Sequence, residues 1–132
     1  MIAYGHVGDH LGSPFMLYTG DPKAAREYFD KCVAIARRII QMDPQDRTAR
    51  YDLGNALLRQ GAAEVPGGDR AQSLAALREA VATLDALAKE APGVIRYQRP
   101  LMLAYQYLGI CLREMGRPDE AMVELQIGRA HV

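Results

Sequence analysis

His6, Asp9 and His10 come nearest to a metal-binding pattern in this chain, because side chains three and four residues apart share one face of a helix. No Glu stands between the two histidines to act as a base, and a single short segment supplies all three groups, so a solvated polar face is the simpler reading. Tyr97, Tyr105 and Tyr107, with Arg96 and Arg99, offer a second chemistry, stacking on nucleic-acid bases. Aromatics at helical spacing are more often core or groove wall, and they are read that way here. No glycine-rich phosphate loop follows a strand, no nucleophile occupies an elbow motif, and Ser13-Pro14 and Gly67-Gly68 read as loop punctuation. The expectation is a chain without catalytic group, metal or cofactor.

Charge points the same way. The 132 residues carry 16 basic and 16 acidic side chains, a balance that argues against a general nucleic-acid or anionic-membrane surface. No apolar run approaches the roughly 18 residues of a membrane span, and no basic-then-apolar start marks a secretion signal, so a soluble, cytoplasmic chain is expected. Cys32 and Cys111 each fall in a small apolar slot of an expected helix and read as buried free thiols.

The elements that would position any site read as helices. Ile2 to Leu11 is a short helical pattern that opens without a cap, followed by a Gly- and Pro-bearing loop to Gly20. Asp21-Pro22 opens a long helix, since Asp accepts hydrogen bonds from free amides and Pro fits a first turn. Its stripe is Ala25, Phe29, Cys32, Ala36 and Ile39, and it stops near Asp43-Pro44 after about 30 Å. Asp69 caps a second long helix whose stripe is Ser73, Leu77, Ala80, Leu84 and Leu87. Each member repeats one of the first stripe at a constant offset, Ala25 to Ser73 and Phe29 to Leu77, and the same offset carries Pro44 to Pro92. Between the two helices, Leu53-Gly54 followed by Leu57 returns as Leu108-Gly109 followed by Leu112, with Gly61 and Gly116 closing each segment as left-handed helix stops. Tyr4, Val7, Gly8 and Leu11 form a weaker third copy. An internal Gly costs a helix about 1 kcal/mol against Ala, so Gly54 and Gly109 imply close helix packing. A helix starts at Val94 or Pro100 and runs to Met115, and Gly116-Arg-Pro-Asp-Glu-Ala121 begins a last one, with Ala121 and Leu125 opening its stripe.

Leu-Gly then Leu, a Gly turn, an Ala with an aromatic or Leu in the next helix, and a closing Pro: this pattern resembles the tetratricopeptide repeat (TPR) over nearly the whole chain. Leu53-Gly54-Asn55-Ala56-Leu57 and Leu108-Gly109-Ile110-Cys111-Leu112 match the family's first helix; Ala25-Phe29-Cys32, Ser73-Leu77-Ala80 and Ala121-Leu125 match its second. The family unit is about 34 residues, and here the long helices carry extra residues, with insertions lengthening the loops after Leu11 and Leu57. The resemblance implies an all-α fold of antiparallel helix pairs stacked as an α-solenoid. Long-helix repeats of this style are similar to those in some bacterial serine/threonine protein kinases, none of whose catalytic motifs is present. Ile127 to Val132 break the stripe and resemble one frame of a short-read sequencing adapter (ATC GGA AGA GCA CAC GTC). Repeats are therefore expected over 1–126, partial at both ends, with a non-native tail over 127–132.

In a stacked array the first helix of each pair lines an inner groove suited to peptides. The resemblance then implies a protein-binding scaffold with Tyr51, Asn55, Leu58 and Arg59 on one inner helix and Gln106, Ile110 and Arg113 on the next. Asn and Gln suit a peptide backbone and Arg suits a carboxylate. The site residues so implied are Tyr51, Asn55, Arg59, Gln106, Ile110 and Arg113, and the partner is a protein or peptide segment rather than nucleic acid or membrane. The alternative is a regulatory or sensor region of a larger bacterial signalling enzyme such as a serine/threonine kinase. Exposed Ala121, Met122 and Leu125 would favour self-association through an open repeat end.

Overall fold

The computed structural model describes residues 22–64 and 69–130, and among them every regular element is helical. The elements are α1 (Pro22–Met42), α2 (Arg47–Glu64), α3 (Arg70–Glu90), a 3-10 turn (Ile95–Tyr97), α4 (Gln98–Glu114) and α5 (Pro118–Ala130). The expected helix over Ile2 to Leu11, the loop after it and the cap at Asp21 lie outside the described residues, as do His6, Asp9 and His10.

Local chemistry accounts for each boundary. The Asp43 amide still reaches back to Ile39 O, but Pro44 ends α1, and the Asp46 side chain then accepts from the Ala49 amide at 2.9 Å to start α2. Asp69 caps α3 as expected, accepting from the Gln72 amide at 3.1 Å. The 3-10 turn runs straight into α4, and Pro100 falls in the first turn, where its missing amide breaks no helical bond. Gly116, at φ +76°, ends α4: its amide bonds to Arg113 O and the next amide, from Arg117, reaches Leu112 O at 2.9 Å. That pair of bonds is the Schellman arrangement, so the left-handed stop read at Gly116 is present. Pro118, Asp119 and Glu120 then form the first turn of α5, suiting both the fixed proline φ and the positive end of the helix.

Gly61 behaves otherwise. Helix α2 continues past it to Glu64, its φ is not positive, and it is buried against α3. A Cβ there would lie 2.6 Å from Leu77 Cγ and 3.3 Å from Ser73 O, so the missing side chain lets two helices close rather than one helix stop. Much of the segment read as a lengthened loop after Leu57 is a continuation of α2.

The same contact recurs. Gly109 would place a Cβ 2.7 Å from Leu125 Cγ, and the offset from Gly61 to Gly109 equals that from Leu77 to Leu125. It is also the offset between the starts of α1 and α3, between their ends, and between the starts of α2 and the 3-10 turn. The same offset thus relates these starts, ends and contacts, while α4 runs to Glu114, slightly past the equivalent of the α2 end at Glu64. The two Leu-Gly phrases do not keep this register, being separated by about two helical turns more. Gly54 is nonetheless a close contact in its own right, since a Cβ there would lie 2.7 Å from Leu84 Cγ and Cδ2.

Neighbouring helices run antiparallel. Along α2 and α3, Arg50 meets Glu90, Gly54 meets Leu84 and Gly61 meets Leu77; along α4 and α5, Tyr105 meets Gly128 and Gly109 meets Leu125. Each helix packs on the next, and α2 also touches α4. The buried stripes Ala25-Phe29-Cys32-Ala36, Ser73-Leu77-Ala80-Leu84-Leu87 and Leu101-Ala104-Leu108-Leu112 fill the interfaces, while Ile39 is half-buried. Cys32 and Cys111 are buried and form no disulfide, as read from their slots. Among the described residues no helix is long and apolar enough to cross a membrane.

The last helix runs through Gln126 to Ala130, with Gly128 buried against Tyr105. Ala121 is 3 % exposed and Leu125 half-buried on Gly109, leaving Met122 (58 %) and Val123 (53 %) as its most exposed apolar groups. Of the three residues expected to lie open, Met122 does, whereas Ala121 is buried and the Gly109 cleft admits Leu125.

Candidate functional site

Tyr51, Asn55 and Arg59 follow one another at helical spacing on α2, and all three are half-buried. The Asn55 amide donates to Tyr51 O at 3.2 Å, which fixes the side chain against its own helix. Leu58, read as part of the same inner face, is instead fully buried in the core. On α4, Gln106 and Arg113 are exposed, whereas Ile110 is half-buried and packs on the main core. Since α2 and α4 touch, the two rows lie on neighbouring helices.

The repeat register refines their relation. It pairs Tyr51, Asn55 and Arg59 with Arg99, Leu103 and Tyr107, which lie about two turns earlier along α4 than Gln106, Ile110 and Arg113. Two turns rotate a helix face by only about 20°, so Gln106 and Ile110 share the face of Arg99 and Leu103, whereas Arg113 falls one residue short of that spacing and lies to one side. Leu103, Tyr107 and Ile110 are all half-buried on the core, giving α4 an apolar wall at spacings of four and three residues. The α2 row supplies amide and guanidinium groups; the α4 row supplies aliphatic and aromatic surface.

An aromatic corner closes one end of the α2 row. The Tyr51 and Tyr97 rings lie 5.5 Å apart, tilted by 45°, and the Arg96 guanidinium stands 5.5 Å from each ring centroid. Tyr97 and Tyr105 are buried and Tyr107 half-buried, so these tyrosines are core or wall, as their spacing suggested. Arg96 is absent from the site residues expected from the sequence. A signal for it exists in the register, which sets Tyr97 opposite buried Ala49 and so brings Arg96 to the amino-terminal end of α2. Beside the corner, Arg50 pairs with Glu90 at 2.8 Å.

On the far side of α2, a groove of about 430 Å³ runs between α1 and α3 over Leu57 and Gln60. Arg37 spans it to Glu79 through two bonds of 2.7 and 2.9 Å, and Gln60 bonds to Asp30. Glu79 is held below its ordinary carboxylate value by the Arg37 hydrogen bonds and then by its charge, against some desolvation. Burial first, and then the charges of Asp85 and Glu124, push the Tyr105 phenol above its usual value. Among the described residues no cluster of three or more His, Cys, Asp or Glu side chains is arranged to hold a metal. Comparison of the chain with protein-family models, with curated proteins and with solved structures finds no match in any of the three.

Proposed function

We propose that this chain is a protein-interaction module of stacked, TPR-like helix pairs that holds a peptide or protein segment along the joined faces of α2 and α4. The observation that carries the reading is the repetition, at one offset, of the boundaries of α1 and α3 and of the Gly61–Leu77 and Gly109–Leu125 contacts. Repeated units that pack only on their neighbours make an extended surface, and such surfaces serve recognition. Polar Asn55 and Arg59 on α2, with half-buried Leu103, Tyr107 and Ile110 on the adjoining α4, suit a segment with a backbone to hydrogen-bond and apolar side chains to bury. Micromolar affinity, about −8 kcal/mol, fits an interface of this size.

A photo-crosslinking residue placed at Arg59 should capture a protein partner that the same residue at Arg78 does not. Asn55→Ala with Arg59→Ala should weaken that partner's binding while leaving the melting temperature unchanged. Binding that survives the double change, and is lost instead by altering Arg78, would sink the reading.

A further inference from the structure

We infer that Arg96, held beside the Tyr51 and Tyr97 rings, is a preorganised carboxylate anchor for an acidic protein segment. The inference rests on the α2–α4 face as the binding surface and adds to it the partner's charge and the point of attachment.

The anchor is built from the core outward. Tyr97 is 3 % exposed and its amide bonds to Val94 O, which fixes the turn that carries Arg96. Tyr51 is half-buried on the main core, so neither ring is free to follow a mobile guanidinium. Arg96 itself is exposed, yet it lies 5.5 Å from both ring centroids. A guanidinium is held there by the negative faces of the rings.

The cation–π contact uses the charge of the guanidinium and none of its hydrogen-bonding capacity. The N–H donors of arginine form a planar fork, which suits a planar carboxylate. Among the described residues the Arg96 side chain has neither an ion pair nor a hydrogen bond; Glu90, on the adjoining helix end, is already paired with Arg50. Arg99, one turn along, is exposed and likewise has no acidic partner among the described residues. Tyr51 begins the row that continues through Asn55 to Arg59, so an acidic side chain on Arg96 would register a segment at one end of that row. A protein segment fits better than a nucleic acid, because Asn55, Leu103 and Ile110 break up the arginines of this face and the chain as a whole carries no net charge.

The test uses a short Glu/Ala peptide, its Gln/Ala counterpart and oligodeoxythymidine as probes, with the arginine side-chain N–H signals followed by NMR. The Glu peptide should bind saturably and move the Arg96 signal, and the Gln peptide should not. Arg96→Gln should weaken the Glu peptide about tenfold. Arg96→Lys should fall between, since it keeps the charge and loses the fork, and Tyr51→Leu should weaken binding by freeing the guanidinium. Equal binding by the parent and Arg96→Gln overturns the anchor and leaves the groove intact. Loss on Asn55→Ala with Arg59→Ala, but not on Arg96→Gln, does the same. No binding of the Glu peptide by the parent, or an Arg96 signal that answers only to oligodeoxythymidine, overturns the acidic-segment partner.

Discussion

The Ser73 hydroxyl donates a 2.7 Å hydrogen bond to the Gly61 carbonyl oxygen, across a contact too close for any side chain at Gly61. One bond thus satisfies a buried hydroxyl and ties α3 to α2 at one of their close contacts. Alanine ordinarily favours a helix interior over Gly by about 1 kcal/mol. Here its methyl would strike Leu77, which is fully buried and has nowhere to swing. Gly61→Ala should therefore lose about 1 to 3 kcal/mol despite the better propensity, and Gly109→Ala should lose a similar amount against Leu125. Gly54→Leu, facing Leu84, should cost more than Gly54→Ala. Thermal melts check all four; a Gly61→Ala protein more stable than the parent would show that the helices do not close there.

Gly116 makes the opposite case. Nothing lies within 4 Å of a Cβ built there, but its φ is +76°. Gly116→Ala should cost about 1 kcal/mol from backbone strain alone, and Asn should cost less. Gly93, equally open and without positive φ, should accept Ala with no loss. Equal melting of the Ala variants at 93 and 116 would contradict the left-handed stop.

Tyr105 sets a limit at alkaline pH. Its folded phenol ionises above the 10.0 of the free side chain, so the unfolded chain gives up the proton first. The stabilisation is complete below about pH 10 and falls as pH rises through the folded value. Tyr105→Phe keeps the ring on Gly128 and removes the titrating group, so its alkaline unfolding midpoint should move upward. Tyrosinate absorbance should show one fewer phenol released with unfolding; an unchanged midpoint would mean that Tyr105 titrates freely.

Glu79 acts at the other end of the scale. Its folded value lies below the ordinary 4.5, so the Arg37 pair is fully stabilising above that value and is lost as pH falls through the folded one. Both side chains are about half exposed, which limits the effect to under about 1 kcal/mol. Glu79→Gln should flatten this region of the acid stability curve. Loss of several kcal/mol would mean the pair is far less solvated than its exposure implies.

Much of the helix pattern is legible in the sequence because caps, proline stops and apolar stripes act locally. Asp69, Pro44, Pro92 and the stripe from Ser73 to Leu87 each name their own consequence. Gly61 cannot be read that way: a glycine that ends a helix and one that admits a neighbour are the same letter, and only Leu77, on the next helix, separates them. Pairing Leu53-Gly54 with Leu108-Gly109 misleads for a related reason. Two extra turns preserve the apolar face, so periodicity is blind to them, and the loop positions have to decide. Arg96 is hidden because its rings come from two different elements, one of them a three-residue turn.

The buried thiols make the protein its own timekeeper. Cys32 is 1 % exposed in α1 and Cys111 is 0 % exposed in α4, so an alkylating reagent reaches either sulfur only when its surroundings open. Helices that depend on one another would release both thiols at a single rate, whereas units coupled only to their neighbours would release them at two. The chain thus carries, without any added label, a clock at each of two places in its stack.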